Sequence, residues 1–142
     1  MATKSIQSSL TLQFITLADY IITAEDKKMS VIGMFDKVFV RELPAVHRQM
    51  WLAVGLVGKS GEQKMLSLRV LAPSGSEEVK TELQFTIGDN GKSTLTVNFD
   101  GFPIKETGIF TIQLMDGTSV VGGTTFEAIK VQEQPASAKV KN

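Results

Sequence analysis

The sequence predicts an all-β domain built as an antiparallel β-sandwich, and three observations predict it. Apolar residues recur at every second position in one segment after another, the pattern of strands with one buried face. Turn residues punctuate these segments at intervals of roughly ten to twelve residues, the spacing of a two-sheet sandwich. No segment of helical length sustains an apolar period near 3.6 residues. The reading is about eight strands in one domain, with a closed barrel as the alternative, since alternation alone does not separate the two.

The first strand begins near Leu10. Leu10, Leu12, Phe14, Thr16, Ala18 and Tyr20 share one face, and Thr11, Gln13, Ile15, Leu17 and Asp19 the other, which turns apolar in its middle. Glu25-Asp26-Lys27-Lys28 is a polar reversal. Met29 to His47 is the stretch around which the chain is organised; it opens with the strand Met29 to Phe35, in which Gly33 marks a bulge or a close backbone approach. The chain reverses at Asp36-Lys37, runs on over Val38 to Val40, and passes through Leu43-Pro44-Ala45-Val46-His47 into the most apolar segment, Gln49 to Gly58. There Met50, Leu52, Val54 and Leu56 lie on one face and Trp51, Ala53, Gly55 and Val57 on the other. A strand apolar on both faces belongs in the middle of its sheet.

Beyond the turn Gly58-Lys59-Ser60-Gly61, Leu66, Leu68 and Val70 point inward. Pro73-Ser74-Gly75 turns the chain. Val79, Leu83, Phe85 and Ile87 then alternate with Glu78, Lys80, Glu82 and Gln84, a core face against a solvated one. Asn90-Gly91 suits a tight turn. Leu95, Val97 and Phe99 face in, and Asp100-Gly101-Phe102-Pro103 breaks the strand. The last hairpin places Phe110, Ile112 and Leu114 on one face. A turn at Asp116-Gly117 sets Ile112 opposite Val121 and Phe110 opposite Gly123, with Gly122-Gly123 as a bulge before Phe126, Ile129 and Val131. The predicted organisation is an N-terminal arm over 1–8, a sandwich over 9–131, and a disordered tail over 132–142.

The totals narrow the function. A chain of 142 residues suits one core, and its 42% apolar fraction is ordinary for a globular domain. Fifteen basic residues balance fifteen acidic ones, which argues against binding to nucleic acid or to an anionic membrane. Zero cysteines exclude disulfides, thiolate metal sites and thiol nucleophiles, and fit a reducing compartment. The mixed polar and apolar start, MATKSIQSSLTLQF, lacks the apolar core of a signal peptide. The run Met50–Gly58 is far shorter than the roughly 20 residues of a membrane span. A cytoplasmic protein is expected.

Ala18-Asp19-Tyr20, Ile32-Gly33-Met34-Phe35-Asp36 and Leu43-Pro44-Ala45-Val46-His47 together carry a resemblance. The stretch Ala18 to Leu56 resembles a family of small, mostly bacterial proteins catalogued as a domain of unknown function. The resemblance covers the first two-fifths of the chain closely. It implies an immunoglobulin-like β-sandwich and assigns no activity and no functional residues.

Few residues carry chemistry. His47 is the one histidine, and without a second imidazole or a thiol it is a poor metal ligand; a ring packed at a sheet corner is the simpler reading. Asp19 and Asp36 each end an apolar segment. Brought together they would suit Ca²⁺ or acid–base work, but carboxylates at strand ends more often bond turn N–H groups. Asp89-Asn90-Gly91 lacks the spacing of a calcium loop, and Gly-Lys-Ser at 58–60 and 91–93 lacks the upstream glycine of a P-loop. No catalytic residue, cofactor or metal is assigned.

Two function classes follow: a non-catalytic protein-binding or scaffold module, and, as the alternative, a sandwich that binds a small ligand or carbohydrate. A protein partner would use a sheet edge. If the last strand is an edge, Ser119 to Thr125, with Val121, Gly122 and Gly123 and few charges before Glu127, is the expected site of strand addition by a partner or a second copy; a bulge that only adjusts twist is the alternative. Trp51, Leu52, Val54, Phe85, Val97, Phe110 and Ile112 are the expected core.

Overall fold

The computed structural model describes residues 9–132; the predicted arm lies outside them, and so does the predicted tail beyond Gln132. Eleven strands follow one another: β1 (Thr11–Thr23), β2 (Met29–Phe35), β3 (Lys37–Val40), β4 (Ala45–His47), β5 (Trp51–Val57), β6 (Gln63–Leu71), β7 (Glu77–Thr86), β8 (Lys92–Asn98), β9 (Phe102–Ile104), β10 (Gly108–Asp116) and β11 (Ser119–Lys130). One sheet has the order β2-β1-β5-β8 and the second β3-β11-β10-β6-β7, while β4 and β9 pair on their own. The result is the immunoglobulin-like sandwich, not a closed barrel. All pairings are antiparallel except that of β3, which runs parallel to β11.

β5 sits between β1 and β8, and five of its seven residues are buried, as its two apolar faces demand. Leu52, Val54 and Leu56 meet the inward rows of the second sheet: Leu66, Leu68 and Val70 of β6, Phe110, Ile112 and Leu114 of β10, and Phe126 and Ala128 of β11. No polar or charged residue is buried among the described residues. The core coheres by apolar burial and ring packing, at roughly 25 cal/mol per Å² of apolar surface removed from water. β7, the free edge of the second sheet, carries Glu77, Glu78, Lys80 and Glu82, charges of the kind that discourage edge-to-edge pairing.

Several details depart from the sequence reading. The register of β1 shifts between Leu12 and Phe14. That bulge flips the faces: Leu12, Ile15 and Leu17 pack against the core, while Phe14 turns outward. Trp51, expected in the sandwich core, packs instead with Ala18, Ile21 and Ala53 in a separate cluster, because it pairs with Ala18 on the outer face. Phe85 and Val97 are part-buried against the core, whereas Leu52, Val54, Phe110 and Ile112 are fully within it. Finally, β4 and β9 are three-residue strands with no alternation to betray them, and β9 carries Pro103, a residue that sheets tolerate at edges.

The last hairpin closes one step later than expected. Asp116 pairs with Ser119, so Gly117 and Thr118 form the turn, and Gly117 supplies a φ of 63°. Ile112 therefore faces Thr124 and Phe110 faces Phe126. The extra residue is Val121, between the pairs Leu114–Gly122 and Met115–Val120.

Candidate functional site

Beyond Ala18, which pairs with Trp51, β1 outruns β5 and keeps only β2 as a partner. The last residues of β1 and the start of β2 thus form a two-stranded ribbon that extends past the end of the sheet. The two faces of this ribbon differ, and each is a candidate site.

The inner face holds Asp19 and His47. Gly33, at a φ of 73°, lies opposite Asp19, and a Cβ built there would stand 2.5 Å from Asp19 Oδ2. Only glycine takes this conformation freely and leaves room for the carboxylate. His47, on β4 beyond the cis Leu43–Pro44 bond, packs its ring edge-on to Phe35 with centroids 5.5 Å apart. Its Nε2 is buried without a hydrogen-bond partner in the protein. Burial lowers the imidazole pKa, and the Asp19 carboxylate together with a backbone hydrogen bond to Gln49 pulls it part of the way back.

A lowered folded-state pKa means that the unfolded chain binds the proton more readily. Stability is then complete above the ordinary imidazole value near 6.5 and declines as pH falls from there toward the folded value. Denaturant melts at about pH 7.5 and about pH 5 should show this loss. His47→Gln is expected to shrink it. Asp19→Asn, which removes the acid that supports the imidazolium, is expected to deepen it. Identical pH profiles for all three proteins would show that His47 is not desolvated in solution.

The other sequence-derived candidates lie elsewhere. Asp36 accepts the Glu127 N–H at its backbone oxygen, at 2.9 Å. It borders an open groove of about 310 Å³ with Ile15, Met34, Phe35, Thr124 and Thr125. Among the described residues no three His, Asp or Glu side chains are placed to hold a metal ion. The structure thus joins Asp19 to His47, but not Asp36 to either.

Val121, Gly122 and Gly123 do not sit on an edge strand. β11 lies between β3 and β10, although β3 pairs only with Glu127–Lys130. Over the remainder β10 is the ladder partner, and on the face of the strand a Cβ at Gly122 would run into the Leu12 side chain. Val121 packs against the core, so a lysine there would damage the fold rather than test an edge.

The outer face is what the sequence reading missed. Tyr20 pairs with Ile32, Ala18 with Met34, and Ile22 with Ser30. Paired residues share a face. Tyr20, Ile22, Ile32 and Met34 are respectively 50%, 54%, 47% and 68% exposed. Phe14 continues the row at 38% exposure, over Gly55. This face carries no charge from Phe14 to Met34 on either strand. Its signal in the sequence was the row Phe14, Ala18 and Tyr20, which reads as the buried face of β1 until the bulge after Leu12 is known.

The model of the Family of unknown function (DUF6941) matches residues 13–126. No curated protein matches the chain. Among solved structures, the chain is similar to an immunoglobulin-like protein from Pseudomonas aeruginosa, at 14% identity over 87% of this chain and 99% of that one, with a TM-score of 0.46. A crustacean hemolymph-type prophenoloxidase shares 8% identity over 96% of this chain, with a TM-score of 0.50. A β-glucosidase from Listeria innocua shares 10% over 89%, with a TM-score of 0.49. This chain spans 37% and 17% of those two longer chains. At such identities the likeness concerns the fold alone. No helix among the described residues is long and apolar enough to cross a membrane.

Proposed function

We propose, from the premise that this chain belongs to the family of unknown function whose model it matches, that it is a non-catalytic protein-binding module whose contact surface is the outer face of the β1–β2 ribbon. One observation carries the reading: Tyr20, Ile22, Ile32 and Met34 form a contiguous, uncharged patch that the fold leaves in water. Scattered surface apolar residues are ordinary, but a contiguous patch on an element that extends past its own sheet supports a role in recognition. Aromatic and methionine side chains are also enriched in the centres of protein interfaces. The carbohydrate-binding alternative draws less support, because Trp51 is packed among Ala18, Ile21 and Ala53 instead of standing free as a stacking platform.

The test is affinity capture from the native host with the wild type and with Tyr20→Ser/Ile22→Ser. Both side chains are at least half exposed, so the double variant should melt close to the wild type, within about 1 kcal/mol. A protein partner held by the wild type is expected to be lost. A partner retained by the variant, or none in either sample, overturns the reading.

A further inference from the structure

We propose that β2 is a self-association edge, and that two copies of this chain join their β2 strands antiparallel about a dyad at Ile32. β2 pairs with β1 along one side only and ends its sheet. An open edge in a stable sandwich is normally blunted by charge, as β7 is by Glu77, Glu78, Lys80 and Glu82. β2 is not. From Met29 to Phe35 it has no charged residue, and the first charges beyond it are Lys28 before and Asp36 after.

The placing of those two charges commits the edge to a second copy. Ile32 is midway between Lys28 and Asp36. An antiparallel pairing centred on Ile32 therefore sets each Lys28 across from the partner's Asp36, twice over by symmetry. An isologous contact requires self-complementarity of this kind. Both charges are available: Lys28 is 86% exposed, with only a loose 3.8 Å contact to Asp26, and Asp36 is exposed. In the same register Ile32 meets the partner's Ile32, and Met34 meets the partner's Ser30.

β8, the opposite edge of that sheet, is bracketed likewise by Lys92 and Asp100. Its exposed positions are Thr94, Thr96 and Asn98, in place of the Ile32 and Met34 that β2 offers. It therefore serves as the control.

Sedimentation velocity over a concentration series at low salt reads the equilibrium. The wild type is expected to dimerise. Lys28→Glu and Asp36→Lys should each weaken the dimer by about tenfold or more, since each replaces attraction with repulsion at both symmetry-related pairs. Lys28→Glu/Asp36→Lys should restore it, and that rescue separates pairing from damage to the fold. Lys92→Glu should leave it unchanged. A wild type monomeric to about 1 mM, single variants that dimerise normally, or a dimer broken by Lys92→Glu would each overturn the proposal. The inference does not rest on the outer-face reading, because Tyr20→Ser/Ile22→Ser leaves both charges and the β2 edge in place.

Discussion

Phe102→Ala is expected to cost about 3–5 kcal/mol of unfolding free energy, the range for removing a fully enclosed phenylalanine. Phe102 is 1% exposed, and its ring is the hub of the core at the β4–β9 end. It stands edge-on to Phe99, Phe110 and Phe126 at centroid distances of 5.9, 5.8 and 5.7 Å, while Phe110 and Phe126 stack on each other at 4.9 Å. Edge-to-face pairs contribute about 0.5–1.5 kcal/mol beyond simple burial, and here one ring makes three of them. Phe110 and Phe126 are paired with each other in the β10–β11 ladder, which β6 joins from Thr111 and β3 from Glu127, so these neighbours collapse poorly into a void. Equilibrium denaturation checks the value, with Phe39→Ala as the comparison. Phe39 is 61% exposed, and its loss should cost about 0.5 kcal/mol or less. Similar losses for the two would mean that the hub forms no well-packed core.

Phe102 also shows where the sequence was opaque. Strands with an uninterrupted alternation were legible: Met29–Phe35 has the bounds read from the pattern, and β5 is central because both its faces are apolar. Phe102 stands among Asp100, Gly101 and Pro103, which read as a break, and its strand exists only because Ala45–His47 lies beside it. Pairing between distant short segments leaves no local period. The same limit hid the flipped face after Leu12, since a bulge keeps every residue type and changes only the parity.

The candidate site was legible in its parts and not in its assembly. Asp19, Gly33 and His47 were each marked by residue type. Asp19 acts on His47 because the His47 ring packs on Phe35, which pairs with Leu17 two residues before Asp19, and no spacing rule expresses that. The exposed ribbon face was concealed for a different reason. The alternation that puts Phe14, Ala18 and Tyr20 on one side of β1 predicts burial of that side, and whether a layer packs over it is decided by the topology and not by the pattern. Apolar pattern reports what a surface prefers to touch; topology decides what is there.

Gly123→Ala is the second large effect expected, at about 3 kcal/mol, although an alanine is the smallest possible change. The pair Gly122-Gly123 suggested a bulge, yet neither residue has a positive φ, and the bulged residue is Val121. What Gly123 supplies is space. A Cβ there would overlap the Ile112 carbonyl oxygen and stand 3.2 Å from its carbon and 3.4 Å from Gln113 Cα. Those are backbone atoms of β10, which is held by β11 on one side and by β6 on the other and has little freedom to retreat. At Gly122 the same Cβ would meet the Leu12 side chain, which can rotate away. Gly122→Ala should therefore cost about 1 kcal/mol. Denaturation of the two variants side by side measures the difference. Equal losses would mean that the β10–β11 ladder yields at Gly123 as readily as a leucine side chain does at Gly122, and that close backbone approach is not why a glycine stands there.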